Sequence, residues 1–148
     1  MEIPFTKIIT SEKETEEIAK QLFYQLELKK INSSIVNLNG NLGSGKTTFA
    51  KLFCKNFNVN NVTSPSFSIV NEYDGTKKIY HFDFYRLKKI EELYDIGFEE
   101  YLNDEDAIVL IEWGNLMKEF LPQNRLDVSI EMINDKEREI KIWLNKDE

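Results

Sequence analysis

The sequence predicts an α/β fold, and three stretches of the chain support that prediction. Residues 35–57 combine a short apolar run, a glycine-rich loop and a helical spacing of apolar side chains. Residues 107–113 form an apolar run that contains Glu112 and precedes Gly114, a pattern typical of a buried central strand. Two alternating segments near the C-terminus predict a closing antiparallel hairpin. The length of 148 residues indicates one domain, residues 1–148.

The composition is that of an ordinary globular protein, with 41% hydrophobic and 30% charged residues. The single cysteine, Cys54, excludes an intrachain disulfide. No signal segment is visible, and the longest aliphatic run is far shorter than the ~20 residues of a membrane-spanning helix, so we expect a cytoplasmic protein. The net charge of −7 disfavours strong nucleic-acid binding by the chain alone, because such binding depends on Lys and Arg.

The first half of the chain is expected to alternate strands and helices. Residues 3–9 alternate loosely as a strand, and the capping-box pattern at residues 11–14 predicts a helix over residues 11–30. An apolar run at residues 35–38 predicts the next strand, directly before the glycine-rich loop. The helix after the loop is predicted by four apolar residues at helical spacing, Phe49, Leu52, Phe53 and Phe57.

The second half is expected to hold two hairpins, one on each side of the central strand in sequence. Alternating hydrophobicity predicts four hairpin strands, at residues 67–73, 79–85, 126–132 and 140–144. Turn signals at residues 74–76 and 134–137 join them in pairs. Residues 87–102 predict short helical pieces broken at Gly97, and residues 115–121 predict a short helix that a proline stops.

The glycine-rich loop predicts a nucleotide phosphate site. Residues 40–47, GNLGSGKT, match G-x-x-x-x-G-K-[ST] between a predicted strand and a predicted helix, the context that gives this pattern its meaning. The glycines let backbone N–H groups approach phosphate oxygens, and the helix N-terminus adds unpaired donors. We expect Lys46 to reach the β- and γ-phosphates and the Thr47 hydroxyl to ligate Mg²⁺. The residues expected to contact the nucleotide here are Asn41, Leu42, Gly43, Ser44, Gly45, Lys46, Thr47 and Thr48.

Two acidic residues are candidates for catalysis, together with Lys46, and for the metal site. Asp83 lies in the predicted strand over residues 79–85, and Glu112 ends the apolar run of residues 109–112. A carboxylate after such a run is typical of the acid that binds Mg²⁺ directly or through water in a P-loop protein. The alternative is that either acid only caps a strand end or pairs with Arg86. Spacing alone does not assign their separate roles. Arg86 is expected either to reach a phosphate or to pair with a neighbouring acid. His81 is expected to be a hydrogen-bonded structural residue rather than a base.

A hydroxyl-rich segment follows the phosphate-loop helix and is a candidate switch. Thr63, Ser64 and Ser66 lie where a switch loop would contact Mg²⁺ or the γ-phosphate, although an ordinary turn before a strand is the alternative. Trp113 is expected to pack beside the site rather than to stack on a base. The N-K-x-D signature common in GTPases is not present at a suitable position, so ATP is the expected nucleotide.

With these residues assembled, the chain resembles the bacterial TsaE family, formerly YjeE, which are small P-loop ATPases of the tRNA threonylcarbamoyladenosine modification pathway. The resemblance covers nearly the whole chain, and it consists of several short sequence blocks whose order along so short a chain is specific to this family. The matching blocks are residues 42–48, 62–67, 70–73, 81–87, 92–93 with 96–97, and 111–113. Asn39 and Gly114 are mild departures from the family pattern.

The resemblance implies a single P-loop α/β domain with a largely parallel central sheet and antiparallel edge strands. It implies that residues 63–65 are a switch-I-like loop and that Asp83 and Glu112 are essential acids of the ATP and Mg²⁺ site. It also implies a slow ATPase that acts with TsaB and TsaD, where TsaD transfers the threonylcarbamoyl group to the adenosine beside the anticodon. The tRNA would be reached through that complex, without membrane contact, and self-association stays open.

Two other functions remain open at this point. A small-molecule kinase begins with the same loop, but it needs an acceptor pocket and usually an arginine-bearing lid, and no two of the three arginines are close in sequence. A nucleotide-dependent binding module with negligible turnover is the other alternative. Phosphate release assayed with acceptor panels, and with and without partners, separates these functions.

Overall fold

The computed structural model describes residues 1–41, 43–63 and 68–145. Its strands are β1 (Phe5–Ile9), β2 (Ile35–Asn39), β3 (Val70–Asp74), β4 (Lys78–Asp83), β5 (Ala107–Glu112), β6 (Arg125–Met132) and β7 (Arg138–Asn145). Its α-helices are α1 (Glu12–Glu27), α2 (Lys46–Lys55), α3 (Glu91–Asp95) and α4 (Phe98–Leu102). Two 3-10 helices span Phe84–Arg86 and Gly114–Phe120. Over the described ranges, no helix is long and apolar enough to cross a bilayer.

All seven described strands form one sheet in the order β1-β7-β6-β2-β5-β4-β3. The four central strands, from β6 to β4, run parallel, whereas β7, β1 and β3 pair antiparallel at the edges. The predicted parallel centre with antiparallel edges and a C-terminal hairpin is therefore confirmed. Because β2 lies between β6 and β5, the loop after β2 leaves the sheet at the carboxyl ends of the central strands, where α/β proteins bind ligands.

Apolar packing on both faces of the sheet explains the continuous apolar run of β5. On one face, α1 and α2 cover a core that includes Leu22, Phe53 and Leu110. On the other face, α3 and α4 cover a core that includes Phe82 and Phe98. All six residues of β5 are buried, as expected for a strand with both faces covered. Burial of each such side chain contributes about 1.5–3 kcal/mol.

The start of α1 follows the predicted capping box. Ser11 is the N-cap, and its hydroxyl accepts a hydrogen bond of 3.3 Å from the Glu14 backbone N–H. The Glu14 carboxylate accepts hydrogen bonds from the Thr10 backbone N–H at 3.0 Å and from its hydroxyl at 2.9 Å. The carboxylate thus reaches one residue further back than in the usual box. A cap of this kind stabilises a helix by about 1 kcal/mol.

Several predicted boundaries differ from the observed ones. The strand predicted over residues 79–85 ends at Asp83, because the Asp83 side chain accepts a hydrogen bond from the Tyr85 N–H and starts a 3-10 turn. The helix predicted over residues 115–121 is a 3-10 helix, Gly114–Phe120. The predicted break between α3 and α4 is confirmed at Gly97, where φ is +72°. Residues 64–67, which include the predicted start of β3, lie outside the described residues.

Candidate nucleotide site

The phosphate loop connects β2 to α2 and contains Gly40 and Gly45, whose positive φ angles would strain the backbone of any other residue. Gly40 has a φ of +146°, and a Cβ there would lie 2.2 Å from the Ile130 carbonyl oxygen of β6. Gly45 has a φ of +109° and is the N-cap of α2, with no side-chain cap. The loop therefore leads directly into the N-terminus of α2, where the helix dipole favours negative charge.

Ser44 lies inside this loop, and its environment supports a ligand role for the loop. Its side chain is 1% exposed, and its hydroxyl has no hydrogen-bond partner in the described part of the chain. A buried unpaired hydroxyl costs free energy that a bound acceptor would recover. Leu42, also predicted to contact the nucleotide, lies outside the described residues.

Lys46 is held at the mouth of the loop by a carbonyl and an aromatic ring. Its ammonium donates a hydrogen bond to the Gly40 carbonyl oxygen and lies 3.3 Å from the centroid of the Trp113 ring. Trp113, predicted to pack beside the site, follows β5 with a φ of +61°, and its indole lies beneath the ammonium. Burial lowers the pKa of Lys46, whereas the nearby Glu112 and Asp83 carboxylates raise it.

The two predicted acids lie side by side next to this lysine. Asp83 ends β4 and Glu112 ends β5, and the two residues are direct partners in the parallel register. Their exposed fractions are only 7% and 3%. The Thr47 hydroxyl donates a hydrogen bond of 3.5 Å to Glu112 Oε1. The structure therefore brings together Lys46, Thr47, Asp83 and Glu112, which stand in three separate parts of the sequence.

The electrostatics of Asp83 reflect its burial. Burial and the Glu112 carboxylate raise the pKa of Asp83. The hydrogen bond from the Tyr85 N–H and the charge of Arg86 lower it. Arg86 Nε lies 3.8 Å from Asp83 Oδ2, so of its two predicted roles the structure shows the pairing with a neighbouring acid.

His81 contacts the second acid directly. Its Nε2 lies 2.5 Å from Glu112 Oε2, and the imidazole is completely buried. Its Nδ1 has no hydrogen-bond partner among the residues that the structure describes. An ionised carboxylate only accepts hydrogen bonds, so with Glu112 ionised the His81 Nε2–H donates to it. His81 is therefore hydrogen-bonded, as predicted, and its partner is Glu112.

The donor set at this site fits Mg²⁺. Asp83, Glu112 and Thr47 offer hard oxygen atoms, which Mg²⁺ prefers. In the three described ranges, no group of three or more His, Cys, Asp or Glu side chains could hold a metal by itself. A cation here would therefore need further oxygen ligands from substrate phosphates and water, the usual situation for Mg²⁺.

Arg138 is a site residue that the sequence did not reveal. Its Nη2 donates a hydrogen bond of 3.5 Å to the Gly43 carbonyl oxygen, and its Nε is buried without a partner in the described chain. A cavity of about 190 Å³ lies here against the loop, lined by Arg138 together with Ser11, Ser44 and Thr48. Arg138 stands 95 residues from Gly43, and only the pairing of β6 with β7 brings it to the loop.

Thr63 is not seen to join the phosphate site. Its backbone N–H donates a hydrogen bond of 3.1 Å to the Tyr73 hydroxyl. Its carbonyl oxygen accepts a hydrogen bond of 3.2 Å from the same hydroxyl. These contacts connect Thr63 to β3. Ser64, Pro65 and Ser66 lie outside the described residues, so the switch role of this segment stays a prediction.

Comparisons with known proteins agree with this geometry. The family model described as "Threonylcarbamoyl adenosine biosynthesis protein TsaE" matches residues 9–140. A Rickettsia felis protein named tRNA threonylcarbamoyladenosine biosynthesis protein TsaE is 38% identical over 144 residues, covering 95% of this chain and 81% of the relative. A Haemophilus influenzae protein of the same name is 40% identical over 112 residues, covering 74% and 70%. The crystal structure of Bacillus subtilis YdiB superposes with a TM-score of 0.73 at 33% identity, covering 97% of this chain and 86% of that one.

Proposed function

This chain belongs to the TsaE family of tRNA threonylcarbamoyladenosine biosynthesis proteins, and from that premise we propose that it binds and hydrolyses ATP for this modification. The observation that carries the proposal is the meeting of Lys46, Thr47, Asp83 and Glu112 at one phosphate loop. These are the parts that phosphoryl transfer needs: a phosphate-binding cation, a metal-binding hydroxyl and carboxylates.

The geometry supports one orientation of the nucleotide. In a P-loop the lysine contacts the β- and γ-phosphates, so the γ-phosphate would lie towards Lys46 and Glu112. The cavity lined by Ser11, Thr48 and Arg138 adjoins the loop without including these two residues. We place the nucleoside end of ATP there, where the unpaired Arg138 Nε could donate to the ligand.

The two acids would divide the remaining work. Glu112, hydrogen-bonded to Thr47 and His81, and Thr47 itself would hold Mg²⁺, with Asp83 beside them. Bound Mg²⁺ would neutralise charge on the β- and γ-phosphate oxygens. Asp83, one strand further from the loop and with a raised pKa, would accept a hydrogen bond from the attacking water and orient it.

We propose further that hydrolysis is slow in the isolated protein and is raised by TsaB and TsaD. Arg86 pairs with Asp83, and Arg138 contacts the Gly43 carbonyl oxygen of the loop. A partner could therefore supply the arginine that stabilises the charge of the transferred phosphate. An arginine provided by a partner can raise the rate by about 10³–10⁵. The net charge of −7 also favours contact with tRNA through partners rather than directly.

The test is steady-state phosphate release from the pure protein, first alone and then with the TsaB–TsaD pair. Lys46→Ala should lower the rate about 100-fold or more, because it removes charge stabilisation of the transferred phosphate. Lys51→Ala, an exposed lysine on the same helix, is the matched control and should keep the parent rate. Turnover of Lys46→Ala at the parent rate would refute the phosphate-loop assignment, and a high basal rate unchanged by the pair would refute the partner proposal.

A small-molecule kinase is the second candidate, and one observation favours it. A polar cavity of about 280 Å³ adjoins Gly40 and is lined by Trp113, Arg125 and Asp127. However, Arg125 Nε already donates to Asp127 Oδ1 at 3.1 Å, so these groups satisfy one another without a ligand. Transfer of labelled γ-phosphate to any member of a panel of small polar acceptors would favour the kinase over the ATPase.

A further inference from the structure

An apolar groove lies beside α3 and α4, on the sheet face opposite to α1 and α2. The two short helices and the end of the 3-10 helix Gly114–Phe120 enclose about 350 Å³. We call it the α3–α4 groove, and its apolar walls are formed by Ile90, Leu93, Tyr94, Phe98, Phe120 and Pro122. None of the phosphate-loop residues or of the two acids lines it.

The groove has a fixed floor and one open aromatic wall. Leu93 and Phe98 are 2% and 6% exposed, and both belong to the core on this face of the sheet. Tyr94 is 66% exposed, and its ring meets Phe120 edge-on at a centroid distance of 6.5 Å. A large exposed aromatic side chain beside an apolar depression is typical of a protein-binding surface.

Two exposed carboxylates line the groove, within an acidic stretch of the sequence. Residues 91–106 contain eight acidic residues and no Lys or Arg, and they are Glu91, Glu92, Asp95, Glu99, Glu100, Asp104, Glu105 and Asp106. Glu99 and Glu100 line the groove itself and are exposed. Neither forms a salt bridge with any residue in the described ranges, so their charge is available to a partner.

The combination of apolar walls and two exposed carboxylates selects one kind of occupant. We propose that the α3–α4 groove binds a basic amphipathic segment of a protein partner. Apolar side chains of that segment would lie between Tyr94 and Phe120, and its Lys or Arg side chains would pair with Glu99 and Glu100. Nucleic acids and anionic membranes carry negative charge, so the Glu99 and Glu100 carboxylates that line the groove would repel them.

This proposal concerns binding away from the nucleotide and does not depend on ATP hydrolysis. It can therefore fail while the ATPase proposal stands, and the reverse is also true. The probe is a fluorescein-labelled helical peptide with Leu and Phe on one face and Lys and Arg on the other. Two matched peptides serve as comparisons: one replaces every Lys and Arg by Glu, and one keeps the composition in scrambled order.

Fluorescence anisotropy with the full chain measures the three affinities. We expect the basic amphipathic peptide to bind about tenfold or more tightly than either comparison peptide, since charge and apolar contacts act together. Its affinity should fall as salt rises, because the Glu99 and Glu100 carboxylates are exposed. Equal binding of the acidic or the scrambled peptide would overturn the proposal.

Variants locate the binding on the groove. Tyr94→Ser, and separately the double change Glu99→Lys with Glu100→Lys, should each weaken binding of the basic peptide about fivefold or more. The matched controls lie on α1: Tyr24→Ser, at a tyrosine 50% exposed, and Glu17→Lys, at an exposed acid. Because all these positions are exposed, the variants should fold, and a far-ultraviolet circular dichroism spectrum and a melting temperature close to those of the parent report that they do.

Two further outcomes would count against the proposal. Loss of peptide binding in the α1 controls as well as in the groove variants would show that the interaction is not located in the groove. Sedimentation that detects a dimer of the parent, lost in Tyr94→Ser, would assign the groove to a second copy of this chain instead. A monomeric parent with peptide binding lost only in the groove variants supports it.

Discussion

At the scale of single residues, Glu112 shows how neighbouring side chains fix the position of a buried carboxylate. Thr47 and His81 each donate a hydrogen bond to a different one of its oxygens, at 3.5 Å and 2.5 Å. Both contacts restrict the rotation of the side chain, so the oxygens are already placed before a ligand binds. In the proposed ATPase, a carboxylate held in this way would contribute by preorganisation rather than by affinity alone.

His81 is therefore expected to be a positioning residue for Glu112. His81→Leu, which fills similar space without a donor, should lower ATP hydrolysis and apparent Mg²⁺ affinity by about 10–100-fold, as for other residues behind metal ligands. His81→Gln keeps an N–H donor and should recover part of that loss. The measurement is a Mg²⁺ titration of steady-state hydrolysis. Equal Mg²⁺ dependence in both variants and the parent would show that His81 only fills the core.

Asp83 gives a prediction about stability and pH. Because burial raises its pKa in the folded state, the folded protein retains a proton that the unfolded chain has lost. Stability should therefore fall as the pH rises from the unfolded value, about 3.9, through the raised folded value. At pH values above the folded pKa, Asp83 is ionised in both states, and the full free-energy cost of burying its charge lowers the stability of the fold. Asp83→Asn removes this cost, so it should melt at a higher temperature than the parent at neutral pH.

Thermal unfolding from pH 3 to pH 8, without nucleotide or metal, measures this difference. The gain of Asp83→Asn should disappear once the pH falls below the unfolded pKa of about 3.9. Asp135→Asn, at an exposed position in the last turn, is the control and should show no such gain. The same Asp83→Asn variant should hydrolyse ATP far more slowly while still binding it. A lower melting temperature at neutral pH would contradict the argument.

At the scale of elements, the long periodic segments were predictable and their ends were not. The run of β5 predicted a buried strand correctly because both of its faces are covered, which only a continuous apolar sequence allows. The predicted end of β4 was wrong because the Asp83 side chain accepts a hydrogen bond from the Tyr85 N–H, and the chain turns there instead of continuing the strand. The 3-10 helix Gly114–Phe120 was predicted only as a helix, since a pattern over seven residues does not distinguish a 3-10 helix from an α-helix.

The close packing of Gly114 against Asn37 of β2 predicts that a larger residue at position 114 lowers the stability of the protein. A Cβ at Gly114 would lie 2.2 Å from Asn37 Oδ1, so the Asn37 amide would have to move. That amide is buried and donates a hydrogen bond of 2.9 Å to Asp127 Oδ1, which opposes the movement. Gly114→Ala should therefore destabilise the protein by about 1–3 kcal/mol, as overpacking in a filled interior does. Urea unfolding measures the change. Gly43→Ala is the comparison, since a Cβ there meets nothing within 4 Å and only backbone strain at φ +78° remains. Equal stability of Gly114→Ala and the parent would show that the strand and the 3-10 helix can separate.

At the scale of the whole molecule, the topology assembles a site from distant parts of the chain. The phosphate loop, Asp83 and Glu112 were predictable because each has a local pattern, and the parallel centre of the sheet brings them together. Arg138 and its cavity were not predictable, because they depend on the register of a hairpin far along the chain. The same is true of the α3–α4 groove, which depends on how two short helices pack.

Nucleotide binding should stabilise the whole fold even where turnover is negligible. At ATP and Mg²⁺ concentrations about 100 times the dissociation constant, stabilisation of about 2.7 kcal/mol is expected from mass action. For a domain of this size, that corresponds to a rise in melting temperature of roughly 5–10 °C. Differential scanning fluorimetry measures the rise. Lys46→Ala should lose most of it and Lys51→Ala should keep it, and an unchanged melting temperature in the parent would refute nucleotide binding at this site.

The stacking of Lys46 on Trp113 also places an intrinsic fluorophore next to the phosphate loop. An indole 3.3 Å from a positive charge has an emission that depends on where that charge lies. A phosphate that draws the ammonium away from the ring would change the fluorescence of Trp113. The chain has two tryptophans, and the other, Trp143, is 36% exposed on β7. Replacement of Trp143 by Phe would leave Trp113 as the single tryptophan, so its selectively excited emission could follow nucleotide arrival and departure in real time without a label.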